Sequence, residues 1–179
     1  MGFEFDILNF IQEYLRNPFF DMFFSTITHL GDSGIFWILV GIILLAFKKT
    51  RKYGVLYVLG LLLSELIVNI GLKPLVMRQR PCWINPIELL VESPKDYSFP
   101  SGHTNASFAA AYSILKINKK YGIAAYILSI IIAFSRLYLY VHFPTDVLVG
   151  GIIGTLSAIV IWKLYDKGSF NKLFEKLKL

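Results

Sequence analysis

The chain has 179 residues, of which 55% are hydrophobic and 17% charged, with a formal net charge of +6. Soluble domains carry about 25% charged residues, so this balance points to a bilayer, and the length allows five or six helical spans but not two independent cores. The positive residues stand in short clusters between apolar runs, as in membrane-flanking loops and unlike a nucleic-acid surface, and the single cysteine, Cys82, excludes an internal disulfide or a CxxC site.

Residues 1–16 place Phe3, Ile7, Phe10, Ile11 and Leu15 at near-helical spacing. They lack a basic start and a small-residue cleavage site, so they predict an amphipathic helix along the membrane interface and no removable signal peptide. Asn17-Pro18 ends that helix. The apolar run 19–30, interrupted by Asp21 and His29, is the weakest candidate span, and 31–34 reads as a turn. No charge occurs between Ser33 and Phe47, and the basic cluster 48–52 closes that span. A second long run, 53–72, contains only Glu65. Residues 73–100 form a polar, proline-rich loop, and apolar runs follow at 104–115, 121–141 and 147–162 before a basic tail from Lys163.

Several of these runs fall short of the roughly 20 residues that cross a bilayer core. The shortfalls lie beside polar motifs, so the helices are expected to extend past the lipid into a site at headgroup level. No strand-like alternation occurs. The expected fold is an all-α integral membrane bundle of about six helical segments, forming one domain over residues 1–179. In the last span Gly150, Gly154 and Ala158 share a face at four-residue spacing, which permits close helix packing.

If the spans alternate, the basic residues of 48–52, 116–120 and 163 onward fall on one side, which the positive-inside rule makes cytoplasmic. The 73–103 loop and the 142–146 turn then face outward, giving a multi-pass protein of the cell membrane. Lys73, Arg78, Arg80, Lys95 and Arg136 remain on that outer side against the rule, and binding an anion is a sound reason for them.

Three patches carry the chemistry. They are Lys73 to Pro81 (KPLVMRQRP), Phe99-Pro100-Ser101-Gly102-His103, and Ser135-Arg136 followed by His142 and Asp146. Lys73, Arg80 and Arg136 offer fixed positive charge, and the arginine fork matches phosphate oxygens. Ser101-Gly102-His103 opens a helix whose free N–H groups would point at an anion. Asp146 is expected in the first turn after Pro144, reaching back to an imidazole nitrogen of His142. A carboxylate there fixes the tautomer and leaves the other nitrogen free to attack phosphorus, with His103 remaining as general acid.

Together the patches resemble the signature motifs of the type-2 phosphatidic acid phosphatase superfamily, KX6RP, PSGH and SRX5HX3D, matched in order over roughly residues 50 to 165. The resemblance implies that His142 is the phosphorylated nucleophile, His103 the acid and Asp146 its orienting carboxylate. It also implies that Lys73, Arg80, Ser101, Gly102 and Arg136 bind phosphate, and that no metal or other cofactor takes part. The long apolar spans favour the integral membrane branch. Short loops and an outward site resemble bacterial members that act on undecaprenyl diphosphate; phosphatidylglycerophosphate and phosphatidic acid are rival substrates. A non-catalytic binder or translocator of phosphorylated lipids is the rival of another class. A complete His/His/Asp set argues against it.

Other polar residues have plainer expectations. Arg78, outside the matched positions, is expected at lipid headgroups. Glu65 is expected to face the bundle interior beside a basic residue. Asn69 and Asn105 are expected to bond between helices or to orient site groups. His29 and Asp21 are expected on bundle-facing or interfacial surfaces, and Trp83, Tyr97, Tyr138 and Tyr140 in an interfacial aromatic belt.

Overall fold

The computed structural model describes residues 2–177. α1 (Gly2–Phe10) runs into a π-helical turn, Ile11–Leu15. Asn17 then caps α2 (Pro18–Ile27), its side chain accepting from the Phe20 amide at 3.0 Å, with Pro18 at the first helical position where its missing N–H costs nothing. A 3₁₀ stretch, Thr28–Gly34, leads into α3 (Ile35–Ala46) through Gly34, whose left-handed φ of +65° suits glycine. The helical stretches Pro18–Asp32 and Ile35–Ala46 are bent by 50° to one another, so the two expected segments form one broken unit.

α4 (Arg51–Glu65) continues through a π-helical stretch, Leu66–Leu72, into the short α5 (Lys73–Val76). α6 (Pro81–Ile84) follows, then an irregular loop to residue 101, then α7 (Gly102–Ile117), α8 (Lys119–Tyr138), α9 (Pro144–Asp166) and α10 (Asn171–Leu177). Arg51–Ile84, Lys119–Tyr138 and Pro144–Asp166 are each long and apolar enough to cross a membrane, and the broken pair is a fourth candidate.

The surface is apolar where a soluble protein would be polar. Ile38, Leu39, Ile42 and Ile43 on α3, and Leu148, Ile152, Leu156 and Val160 on α9, are all exposed. Such faces are stable only against lipid. The 16-residue α7 is the central post, packed on α4, α8 and α9, with Ala106, Ala109, Ala110 and Ala111 buried. Small residues bring α9 against it. A Cβ on Gly154 would stand 2.1 Å from the Asn105 carbonyl oxygen, and one on Gly150 would stand 2.6 Å from that of Ser101.

The chain direction reverses at each end of these helices. The 28–34 stretch, the 73–101 loop and the 139–143 turn thereby meet at one end of the bundle, and the basic segments 48–52 and 116–120 at the other.

Candidate active site

Lys73 opens α5, where the helical rod begun by α4 nears its end. Met77 then turns the chain in a left-handed conformation, and Arg80 returns in extended backbone just before Pro81 opens α6. Arg136 lies in the last turn of α8. The turn that follows passes through Tyr140 at φ +59° and presents His142, whose amide donates to the Arg136 carbonyl at 3.3 Å. Pro144 starts α9 and places Asp146 at its third position, where the carboxylate accepts from the Phe143 amide at 2.8 Å.

One cavity of about 680 Å³ opens at this end of the bundle. Lys73, Arg80, Gly102, His103, Arg136 and His142 all line it. Arg80 is 2% exposed, Arg136 5% and His142 1%, so three cationic or ionisable groups are buried around one concave space. Buried charges need partners: Arg80 pairs with Asp96, while Arg136 Nε has no hydrogen-bond partner among the described residues. Residues 53–169, which carry most of this cavity's lining and all three motifs, match the PAP2 superfamily model.

The chain belongs to the PAP2 superfamily. It is 32% identical to an undecaprenyl-diphosphatase of Sulfolobus acidocaldarius over 79% of this chain and 69% of that one. Among solved structures, LpxE of Aquifex aeolicus superposes with a TM-score of 0.77 at 30% identity, covering 89% of this chain and 94% of that one. A transmembrane PAP2-type phosphatidylglycerolphosphate phosphatase of Bacillus subtilis gives 0.76 at 28% identity, with 93% and 86% covered. The chain is therefore a membrane-embedded PAP2 lipid phosphatase, an enzyme rather than a passive binder of phosphorylated lipids.

Within this PAP2 site the imidazole of His142 has a defined tautomer. Arg80 Nη1 lies 3.1 Å from its Nε2, and a guanidinium can only donate, so Nε2 accepts and the neutral ring carries its proton on Nδ1. Nδ1 faces the Ser98 hydroxyl at 3.3 Å and the Asp146 carboxylate at 3.5 Å, and Ser98 itself donates to Asp146. Asp146 thus reaches His142 chiefly through Ser98, a residue outside the three motifs. Burial pushes the His142 pKa well below its usual value, and the charges of Arg80, Arg136 and Lys73 act in the same direction.

Two acidic residues absent from the sequence expectations close the cradle. Asp96 pairs with Lys73 and, at 2.7 Å, with Arg80 Nη2, while its carbonyl accepts from Arg80 Nε at 2.7 Å. Partial burial would raise the Asp96 carboxyl, but the Lys73 hydrogen bond and the Arg80 charge outweigh it and hold the group well below the usual carboxylate range. Asp32 lies 2.8 Å from His103 Nε2 and 2.6 Å from His29 Nδ1. His29 and Asp32 both line the cavity, so the 31–34 turn is part of the site.

Several expectations need correction. Ser101 is fully buried, its amide already donates to the Asp146 carbonyl at 3.0 Å, and its hydroxyl accepts from Thr104, so of the pair only Gly102 faces the cavity. Arg78 does not reach out to headgroups. It turns inward because Asp146 and Glu4, at 2.6 and 2.5 Å, are buried carboxylates that require its charge. Tyr138 and Tyr140 are buried in the core under α1 rather than belted at an interface. Among the described residues Glu65 has no basic partner within ion-pair range; the amides of Asn69 and Asn105 donate to it.

Proposed function

We propose that this PAP2 phosphatase hydrolyses undecaprenyl diphosphate at the extracytoplasmic face of the membrane through a phosphohistidine on His142, without a metal. The observation that carries the reading is His142 itself. Its proton faces Ser98 and Asp146, and its Nε2 lone pair lies beside Arg80 in a cavity shared with Lys73 and Arg136.

Nε2 attacks phosphorus in line. The bond to the leaving oxygen breaks, and His103 supplies the proton that oxygen takes up. Lys73, Arg80, Arg136 and the Gly102 backbone carry the charge on the equatorial oxygens, the main protein contribution in phosphoryl transfer. Water then attacks the phosphohistidine, the P–N bond breaks, and His103 receives the water's proton. Asp146, acting through Ser98, offsets the imidazolium formed at each stage.

The likeness to the Sulfolobus acidocaldarius undecaprenyl-diphosphatase supports a polyprenyl diphosphate substrate. The solved Bacillus subtilis relative favours phosphatidylglycerophosphate as the second reading. Basic residues gathered at the opposite end of the bundle support an outward-facing cavity. A cysteine placed at Lys95 is then expected to react with an impermeant maleimide on intact cells, and protection there would invert the orientation.

The deciding experiment measures phosphate release in detergent with EDTA from undecaprenyl diphosphate, phosphatidylglycerophosphate, phosphatidic acid and diacylglycerol pyrophosphate. Undecaprenyl diphosphate is expected to give the highest kcat/KM, and the His142→Ala protein to release none. Turnover by that variant, or dependence on a divalent ion, would overturn the mechanism. A different preferred lipid would replace only the substrate.

A further inference from the structure

Glu4 and Arg78 line no part of the cavity, yet both are held tightly behind it. Glu4 lies on α1, whose outer face exposes Phe3, Ile7 and Phe10 while Glu4 itself is 4% exposed. A carboxylate buried on the inner face of an otherwise apolar helix needs strong partners. It has them: Oε1 accepts from Thr145 Oγ1 at 2.6 Å and from the Thr145 amide at 3.3 Å, and Oε2 accepts from Arg78 Nη2 at 2.5 Å. The other arm of the same guanidinium, Nη1, donates to Asp146 Oδ1 at 2.6 Å and to Thr145 Oγ1 at 2.7 Å. Its flat face rests on the Phe143 ring, 4.1 Å from the centroid. A continuous chain of charge-assisted bonds therefore runs from Glu4 through Arg78 to Asp146, and on through Ser98 to His142.

We propose that Glu4 and Arg78 are positioning residues for the phosphoryl-transfer step, holding the Asp146 carboxylate in place and setting the charge it presents to His142. The proposal rests on His142 being the nucleophile. Arg78 fixes one oxygen of Asp146, so the other is aimed at Ser98 and His142. An Asp–Arg pair alone would be neutral and would offer little to an imidazolium. Because Glu4 shares the same guanidinium, the trio keeps a net charge of −1, and a negative field remains behind His142 as positive charge develops on its ring. Lysine cannot replace Arg78, since a single ammonium cannot bridge two carboxylates from opposite arms of a planar fork. α1 thus acts as part of the catalytic scaffold, with one face turned outward and one residue of the other face tied to the reaction.

The test is a pre-steady-state burst measurement by rapid quench on the protein, with substrate in excess. The substrate is undecaprenyl diphosphate labelled in its terminal phosphate, and the quench is alkaline because phosphohistidine is labile to acid. The rate constant reports positioning, and the amplitude reports how much protein is folded. Glu4→Gln and Arg78→Lys are expected to slow phosphoenzyme formation about tenfold, and Arg78→Met about 100-fold, with amplitudes near wild type. Inhibition by inorganic phosphate, which reads the cradle alone, stays within about twofold. Leu8→Ala, which loosens the packing of α1 without touching the charges, is the control, losing amplitude and keeping its rate constant. If Glu4→Gln and Arg78→Lys behave like Leu8→Ala, the two residues only fasten the helix and the proposal is wrong. Label appearing on His142→Ala would instead remove the nucleophile assignment on which it stands.

Discussion

Arg80 Nη1 holds two acceptors at once, the Val141 carbonyl at 2.7 Å and His142 Nε2 at 3.1 Å. The carbonyl anchors the guanidinium to the backbone that carries His142, so the cation and the nitrogen proposed to attack move as one body. Arg80 also spends Nε and Nη2 on Asp96, which leaves its plane fully determined. Lysine preserves the charge and none of this geometry. Arg80→Lys is expected to lower kcat/KM about 100-fold, or roughly 2.7 kcal/mol of transition-state stabilisation, measured as phosphate release under subsaturating substrate. A loss below about threefold would mean that charge alone suffices.

The buried His142 has a second consequence, in its pH dependence. Its pKa lies well below the ordinary value of about 6.5, so the neutral form, the one proposed to attack, persists as pH falls. The acid limb of kcat/KM that belongs to the enzyme is therefore expected below about pH 6.5. Asp146→Asn removes the carboxylate that favours the protonated ring. That limb should move to still lower pH while the plateau falls on the order of 1000-fold. Ionisation of the substrate contributes equally to both proteins, so the displaced limb identifies His142. A limb that stays in place would exclude it.

Asp96 occupies the cradle with a carboxylate of its own, bonded to Lys73 and Arg80. Because those two cations hold it below the usual carboxylate range, it stays ionised at every pH near neutrality and competes with any incoming anion. Its ion pairs are present above the ordinary carboxylate pKa and are lost only as pH falls below that range. Asp96→Asn should remove the competitor, so inorganic phosphate is expected to inhibit about tenfold more tightly and KM to fall in parallel, both read from steady-state inhibition curves. Weaker inhibition would instead make Asp96 a necessary organiser of Lys73 and Arg80.

Much of this architecture is legible from residue order. Apolar runs mark the segments, and the spaced Lys73, Arg80, His103, Arg136 and His142 converge because alternating helices return their polar ends to one side. Ser98, Asp96, Asp32, Arg78 and Glu4 are harder to foresee. They reach the site through an irregular loop, a 3₁₀ turn and the docking of α1, none of which follows a period of 3.6. Asp96 and Ser98 stand just before Phe99-Pro100-Ser101-Gly102-His103, which in hindsight is the only local hint. Tyr138 and Tyr140 have the composition of an interfacial belt, yet α1 covers them, and aromatic content alone cannot show that cover. The break between Pro18–Asp32 and Ile35–Ala46 is likewise a tertiary fact, set where Gly34 turns left-handed.

The seam between α7 and α9 joins the two halves of the site. Gly102 and His103 open α7, while His142 and Asp146 lie at the start of α9, and the Ser101 amide bonds the Asp146 carbonyl across the seam at 3.0 Å. Gly154 sets the spacing, because any Cβ there meets the Asn105 carbonyl oxygen at 2.1 Å, and that backbone atom has no rotamer to yield. Gly154→Ala must therefore push the helices apart. Overpacking of this kind costs about 1–3 kcal/mol, and a displacement of about 1 Å between reacting groups costs about 100-fold in rate. The variant is expected to melt several degrees lower in detergent and to lose more activity than its residual folded fraction explains. Gly151→Ala, one residue from that face, is the matched control. Its Cβ would meet only the Phe108 ring at 3.5 Å, ordinary contact, so melting temperature and turnover should both hold. Equal behaviour of the two alanines would show that α9 can slide on α7 without separating His142 from His103, and that this seam does not govern the alignment of the two histidines.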